Sequence, residues 1–258
     1  MKREIMMRVH SARVYNGGTY GLLKLVPVEG ILPGDIEPGQ FVQVDVPDCK
    51  GAFLRRPISV NFVDYEANEL WLLVRAAGKG TRSLIACVEG QQLSVILPLG
   101  RGFSMPEKGG RVLLVGGGVG VAPLLYFGKV LKDNGYVPEF ALGARSAGDL
   151  LMLDEFEKYG PVHVATENGE LGTKGFVTQL PAMAEDIAHI ACCGPTPMMK
   201  AVAKIAKARG INCEVSLENA MACGLGACLC CVEDTDHGRV CVCTEGPVFN
   251  INQLKWEL

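Results

Sequence analysis

The residues best suited to chemistry lie near the end of this chain. Cys223, Cys228 and Cys231, followed by Cys243, have the C-x4-C-x2-C…C spacing that holds a 2Fe–2S cluster in plant-type ferredoxins. Two ferric ions bridged by sulfide leave two terminal positions per iron, and soft thiolates suit them. Gly224, Gly226 and Ala227 occupy the first loop, where small residues let backbone N–H groups approach the sulfurs and stabilise the more negative reduced cluster. A structural zinc site is the competing reading. Cys228-x2-Cys231 favours it, but the second half offers Cys241-x-Cys243 instead of another C-x2-C pair. Cys230 and Cys241 are further thiols. If Val240–Thr244 is extended, Cys241 and Cys243 point the same way, so alternation leaves both open as the last ligand.

Glycine turns come next. Val112–Val115 reads as a strand, Gly116, Gly117, Gly118 and Gly120 as a loop, and Ala122-Pro123 as a helix start with proline in its first turn. Such a turn presents bare N–H groups and a positive helix end to a pyrophosphate. G-x-G-x-x-G is absent, and a tight connection without ligand is the plain alternative. Cys193-Gly194-Pro195 also follows a buried strand and precedes a helix, and is placed at the other end of the sheet. A small thiol beside glycine leaves room for a flat ring, which makes Cys193 a catalytic candidate; a core cysteine is the alternative. Earlier, Leu54-Arg55-Arg56-Pro57-Ile58-Ser59 combines guanidinium groups, a fixed turn and a hydroxyl, suited to a diphosphate and a ring edge. Arg75 to Thr81 is a second anion-suited turn, with Thr81 near a helix cap.

These groups need two kinds of scaffold. Short β-type runs at Met6–Val9, Tyr20–Val26, Phe41–Val46, Ile58–Val63, Leu70–Arg75 and Leu93–Leu97 predict a small antiparallel barrel or sandwich, with one helix near Thr81–Val88. After a Gly- and Pro-rich linker at Arg101–Gly110 the pattern changes to alternating strands and helices. Strands are expected at 111–115, 139–142, 162–165, 187–192 and 211–217, helices at 123–133 and 197–209, and an amphipathic segment at 150–159. That pattern predicts a parallel, doubly wound sheet. The expected architecture is an antiparallel β-barrel at 1–103, an α/β domain at 104–217 and a small cluster domain at 218–258.

Composition excludes other classes. With 48% hydrophobic and 21% charged residues over 258 positions, the chain can bury a normal interior. A net charge of -3 gives no general attraction to nucleic acid or anionic lipid. The longest uncharged stretch, Val112–Gly128, is interrupted by glycines and Pro123 and is not expected to span a membrane. Met1–Met7 lacks an apolar signal core, so the cytosol is the expected compartment, where eleven cysteines argue for metal or redox chemistry over disulfides. His10, His163, His189 and His237 are scattered singly, and no Ser/His/Asp set is read.

Taken in order, Arg56-Pro57-Ile58-Ser59, Gly78–Thr81, Gly116–Pro123, Cys193-Gly194-Pro195 and the cysteine tail resemble the ferredoxin-reductase superfamily. Met221-Ala222-Cys223-Gly224 and Cys243-Thr244-Glu245-Gly246-Pro247 are similar, within it, to the electron-transfer subunits of type 1B dihydroorotate dehydrogenases. The resemblance implies FAD on the barrel, at Arg56, Pro57, Ile58, Ser59, Leu73, Val74, Arg75, Gly80 and Thr81. It implies NAD at Gly116, Gly118, Gly120, Ala122, Pro123, Gly194 and Pro195. Because the family's last ligand precedes x-x-Gly-Pro, it also implies Cys243 over Cys241, beside Cys223, Cys228 and Cys231. The implied path takes electrons from dihydroorotate, oxidised on an FMN-containing catalytic subunit, through the cluster and FAD to NAD+, in a heterotetramer with two copies of each chain. No room remains for an FMN barrel, which alone needs about 250 residues. The rivals are the flavin subunit of a ferredoxin- or sulfur-linked NAD(P)H oxidoreductase and a zinc-stapled binding module. Arg145-Ser146 leaves a 2′-phosphate on the nucleotide open.

Overall fold

The computed structural model describes all residues except Pro47, Asp48 and Lys50, in two compact units. One comprises Met1–Gly102, Glu218–Glu233 and Val240–Pro247; the other comprises Phe103–Leu217, Asp234–Arg239 and Val248–Leu258. Residues of the tail therefore belong to both.

The first unit is a closed antiparallel barrel. Its elements are β1 (Arg3–Tyr15), β2 (Tyr20–Pro27), β3 (Phe41–Val44), β4 (Arg56–Asp64), β5 (Glu69–Arg75), α1 (Lys79–Ile85) and β6 (Gln92–Leu99). The strand order is β1-β2-β5-β4-β3-β6. Val42, Val44, Val60, Leu72, Val95 and Leu97 are fully buried, as alternating strands closed around one interior require. Between β4 and β5 the Asp64 carboxylate accepts the Glu66 and Ala67 amides, which fixes the hairpin turn. β1 runs well beyond the expected 6–9 because it pairs with β2 along its second half and β6 along its first.

The second unit contains β7 (Val112–Gly117), α2 (Ala122–Asp133), β8 (Pro138–Ala144), α3 (Leu153–Glu157), β9 (Val162–Thr166), β10 (Thr173–Lys174), β11 (His189–Cys193), α4 (Thr196–Arg209) and β12 (Asn212–Ser216). The tail adds β13 (Val232–Thr235) and β14 (Gly238–Cys241), which pair with each other, then α5 (Val242–Glu245) and β15 (Val248–Asn250). The large sheet has the order β10-β9-β8-β7-β11-β12-β15, parallel throughout except for β15, which runs antiparallel to β12. Gly128 lets α2 lie close on β8, since a methyl there would fall 2.4 Å from Phe140 Cζ. α4 ends at Gly210 in the left-handed region, with Lys207 and Arg209 in its last turn.

Two expectations need correction. The amphipathic segment at 150–159 is helical only over Leu153–Glu157, because Met152 has φ +57° and cannot extend the helix backwards. The linker is shorter than 101–110: the Arg101 amide donates to Gly246 O at 2.6 Å, and Phe103 stacks on Phe127 at 5.0 Å.

Candidate functional site

The cysteine loop belongs to the same compact unit as the barrel. Gly224, Gly226 and Leu229 have φ of +69°, +86° and +56°, a conformation that turns the chain tightly around its own sulfurs. Backbone donors converge there: Leu225 N–H donates to Cys223 Sγ at 3.3 Å, Gly226 N–H to Cys243 Sγ at 3.2 Å and Cys243 N–H to Cys231 Sγ at 3.4 Å. The Leu225 amide, aided by those of Cys228 and Ala227, holds the Cys223 thiol down at about 6 against its partial desolvation. Burial and the neighbouring Cys231 push Cys243 up to about 12, so its thiolate requires a cation. Among the described residues no three His, Cys, Asp or Glu side chains gather closely enough to hold one metal ion. A two-iron cluster asks only two terminal thiolates of each iron, and the sulfur-directed amides suit its negative charge.

Cys241 and Cys243 do not lie on one extended segment. β14 ends at Cys241 and α5 begins at Val242, so the chain turns between them. Cys243 is fully buried behind the Gly226 amide, whereas Cys241 is partly exposed, with Sγ 3.9 Å from Gly226 O. Cys230 is exposed.

On the barrel, the two adjacent arginines serve different ends. Arg55 is structural: it donates to Ser94 O at 2.9 Å and pairs with Glu4 at 2.6 Å, tying β6 to β1. Arg56 has no carboxylate partner among the described residues and lies flat against Gly80 of α1, where a methyl would fall 2.5 Å from its Nε. A guanidinium beside the backbone amides of a helix start is a cradle suited to a diphosphate. Thr81 Oγ1 accepts the Ala77 and Gly78 amides, both at 2.9 Å, so its hydroxyl braces the turn. Leu73 and Val74 are buried in β5 and Arg75 is exposed. Pro57 and Ser59 are half-buried on β4, with Ile58 between them turned inside.

In the second unit the chain leaves β7 for β8 and β9, then returns to β11 on the other side of β7. The carboxyl ends of β7 and β11 therefore flank the topological switch point, where open α/β sheets bind ligands. Cys193-Gly194 is next to the first glycine loop and not at the other end of the sheet, as the sequence suggested. A methyl on Gly120 would fall 2.5 Å from Gly194 Cα and 2.6 Å from Cys193 O. Gly116 abuts Val121 and Leu124, Gly118 has φ +56°, and Ala122 and Pro123 open α2. Cys193 is buried at 1% exposure, and Pro195 precedes α4.

Sequence reasoning missed the acids around the turn after β8. Ser146 Oγ donates to Asp149 Oδ2 at 3.1 Å and Ala147 N–H to Glu170 Oε2 at 3.0 Å. Beside Arg145 these carboxylates suit a ribose hydroxyl and oppose a 2′-phosphate. Asp149, five residues past β8, was the local signal, whereas Glu170 follows β9 and meets Ala147 only in the fold. Three of the four histidines are held by acids, His10 by Glu69, His163 by Glu139 at 3.0 Å and buried His189 beside Glu214, and His237 is exposed.

Comparison with known proteins agrees with this geometry. Residues 218–255 match the iron-sulfur cluster binding domain of dihydroorotate dehydrogenase B, and 114–204 match the oxidoreductase NAD-binding domain. The dihydroorotate dehydrogenase B (NAD(+)) electron transfer subunit of Shouchella clausii is 40% identical over 88% of this chain and 91% of its own. That of Caldanaerobacter subterraneus subsp. tengcongensis is 42% identical over 82% and 84%. Among solved structures, the NADH-dependent reduced ferredoxin-NADP oxidoreductase superposes with a TM-score of 0.84 at 31% identity, over 97% of this chain and 90% of that one. The fold is that of a ferredoxin reductase, and the chain belongs to the family of dihydroorotate dehydrogenase B (NAD(+)) electron transfer subunits.

Proposed function

We propose that this chain, as the electron-transfer subunit of a dihydroorotate dehydrogenase B, holds FAD at Arg56–Ser59 and the start of α1, NAD at the β7/β11 crevice with Cys193 at its base, and the cluster on Cys223, Cys228, Cys231 and Cys243. The observation that carries this reading is the joint presence, in one compact unit, of the Arg56–Gly80 cradle and the sulfur-directed amides of the cysteine loop. Bound FAD supplies the exchange between the hydride of a nicotinamide and the single electrons of an iron–sulfur cluster. The protein's own part is placement. Arg56 neutralises the diphosphate, the glycine turns admit the nucleotide backbone, and the loop amides hold the thiolates.

The partner is an FMN-containing catalytic subunit, with two copies of each chain. Leu225 and Leu229, 43% and 65% exposed on the cysteine loop, support docking there. Eleven free cysteines suit the reducing cytoplasm, and among the described residues no helix is long and apolar enough to cross a membrane. The likeness to the ferredoxin-NADP oxidoreductase supports a second reading, the flavin subunit of a ferredoxin-linked enzyme. Purified chain should oxidise NADH with artificial acceptors and fail with dihydroorotate; adding the cognate FMN subunit should confer NAD-linked dihydroorotate oxidation. Turnover of dihydroorotate by this chain alone would overturn the division of labour between the subunits, and no coupling with that subunit would favour the second reading.

A further inference from the structure

Gln43 lies on β3, directly across from Pro57 of the flavin turn and from Ile96 of β6. It is 0% exposed, and neither Oε1 nor Nε2 has a hydrogen-bond partner among the described residues. Burying a carboxamide unpaired is costly, so a glutamine held this way calls for a partner. The amide is pressed against the cysteine loop: a methyl on Gly224 would fall 2.7 Å from Nε2 and 2.8 Å from Cγ. Gly224 follows Cys223, and the next amides are already spent, Leu225 on Cys223 Sγ and Gly226 on Cys243 Sγ. The Gln43 carboxamide is a donor beside that end of the loop with no partner among the described residues. Sulfur gains negative charge when a cluster is reduced, and an N–H directed at it favours the reduced form.

We propose that Gln43 is a positioning residue for the cluster, its Nε2–H donating to a sulfur at the Cys223 end and raising the reduction potential. The inference rests on the four-thiolate reading above. The test is an EPR-monitored redox titration of the full, cluster-loaded chain and of Gln43→Met, which keeps side-chain length without the amide. The variant's reduction equilibrium should fall by about tenfold, which for one electron is about 59 mV, while the FAD couple and flavin spectrum stay in place. Wild-type chain carrying side-chain 15N-glutamine should show an added 15N coupling to the reduced cluster in pulsed EPR, a measurement that does not depend on the variant folding. An unmoved midpoint in a loaded variant, a shift confined to FAD, or no side-chain 15N coupling would overturn the proposal. Absence of any 2Fe–2S signal from wild-type chain would instead overturn the four-thiolate reading, and the proposal with it.

Discussion

The amide of Gly226 donates to Cys243 Sγ, although seventeen residues separate them. That bond ties the cysteine loop to Cys243, whereas Cys241, whose thiol also reaches Cys231, receives no backbone amide among the described residues and directs its sulfur at Gly226 O. Cys243→Ser should therefore lose or severely destabilise the cluster, and Cys241→Ser should keep it. Iron and sulfide analysis of the two variants checks this; full occupancy in the first with loss in the second would reverse the assignment.

Arg56→Ala should weaken FAD retention by roughly 1.5–3 kcal/mol, the worth of a charge-assisted hydrogen bond to a diphosphate. Arg55→Ala should instead lower thermal stability and leave FAD affinity nearly unchanged, because Arg55 is committed to Glu4 and Ser94. Flavin content after dialysis, with melting curves, separates the two.

Gly120→Ala places a methyl against the backbone of Gly194. The two turns must move apart, at a cost of about 1–3 kcal/mol, and the expected result is a raised KM for NADH with FAD and iron content intact. Steady-state kinetics with an artificial acceptor reads this directly.

Asp149 and Glu170, gathered at the turn after β8, give a test of nucleotide choice. Wild-type chain should prefer NADH to NADPH, and Asp149→Asn combined with Glu170→Gln should narrow the ratio of kcat/KM by roughly tenfold, or about 1.4 kcal/mol.

His189 supplies a pH dependence. Burial depresses its pKa below 6.5, and Glu214, 3.8 Å away and occupied by Ser104, opposes this only partly. The unfolded chain takes up the proton first, so this stability is complete above about pH 6.5 and is lost as pH falls below it. The slope reaches at most about 1.4 kcal/mol per pH unit. Urea titrations across this range should show a shallower loss in His189→Asn than in wild type.

How much of this was legible in the sequence depends on whether the signal was local. The cysteine spacing, the alternating strands and the glycine loop at Gly116–Gly120 are local patterns, and the barrel and parallel sheet carry them. The adjacency of Gly120 and Gly194 was not legible, because it follows from strand order: β11 returns to the side of β7 only after β8, β9 and β10 have been added the other way. The separation of Cys241 from Cys243 was hidden for a different reason, a single helical turn beginning at Val242 within a stretch that reads as extended. Gln43 carried no signal, since a lone glutamine between valines acquires meaning only when Gly224 is folded against it. The split between Arg55 and Arg56 likewise depends on Glu4, fifty-one residues away from Arg55.

The antiparallel pairing of β15 with β12 bears on how this protein tolerates truncation. Val248 to Asn250 cover what would otherwise be the bare rim of a hydrophobic parallel sheet, where Val215 is fully buried. A chain shortened at residue 218 to remove the iron-binding segment would therefore present unsatisfied amides and carbonyls along β12 to any other strand it met, inviting self-association. The tail is a seal as well as a redox module, and chimeras that exchange it between relatives must carry a matching final strand.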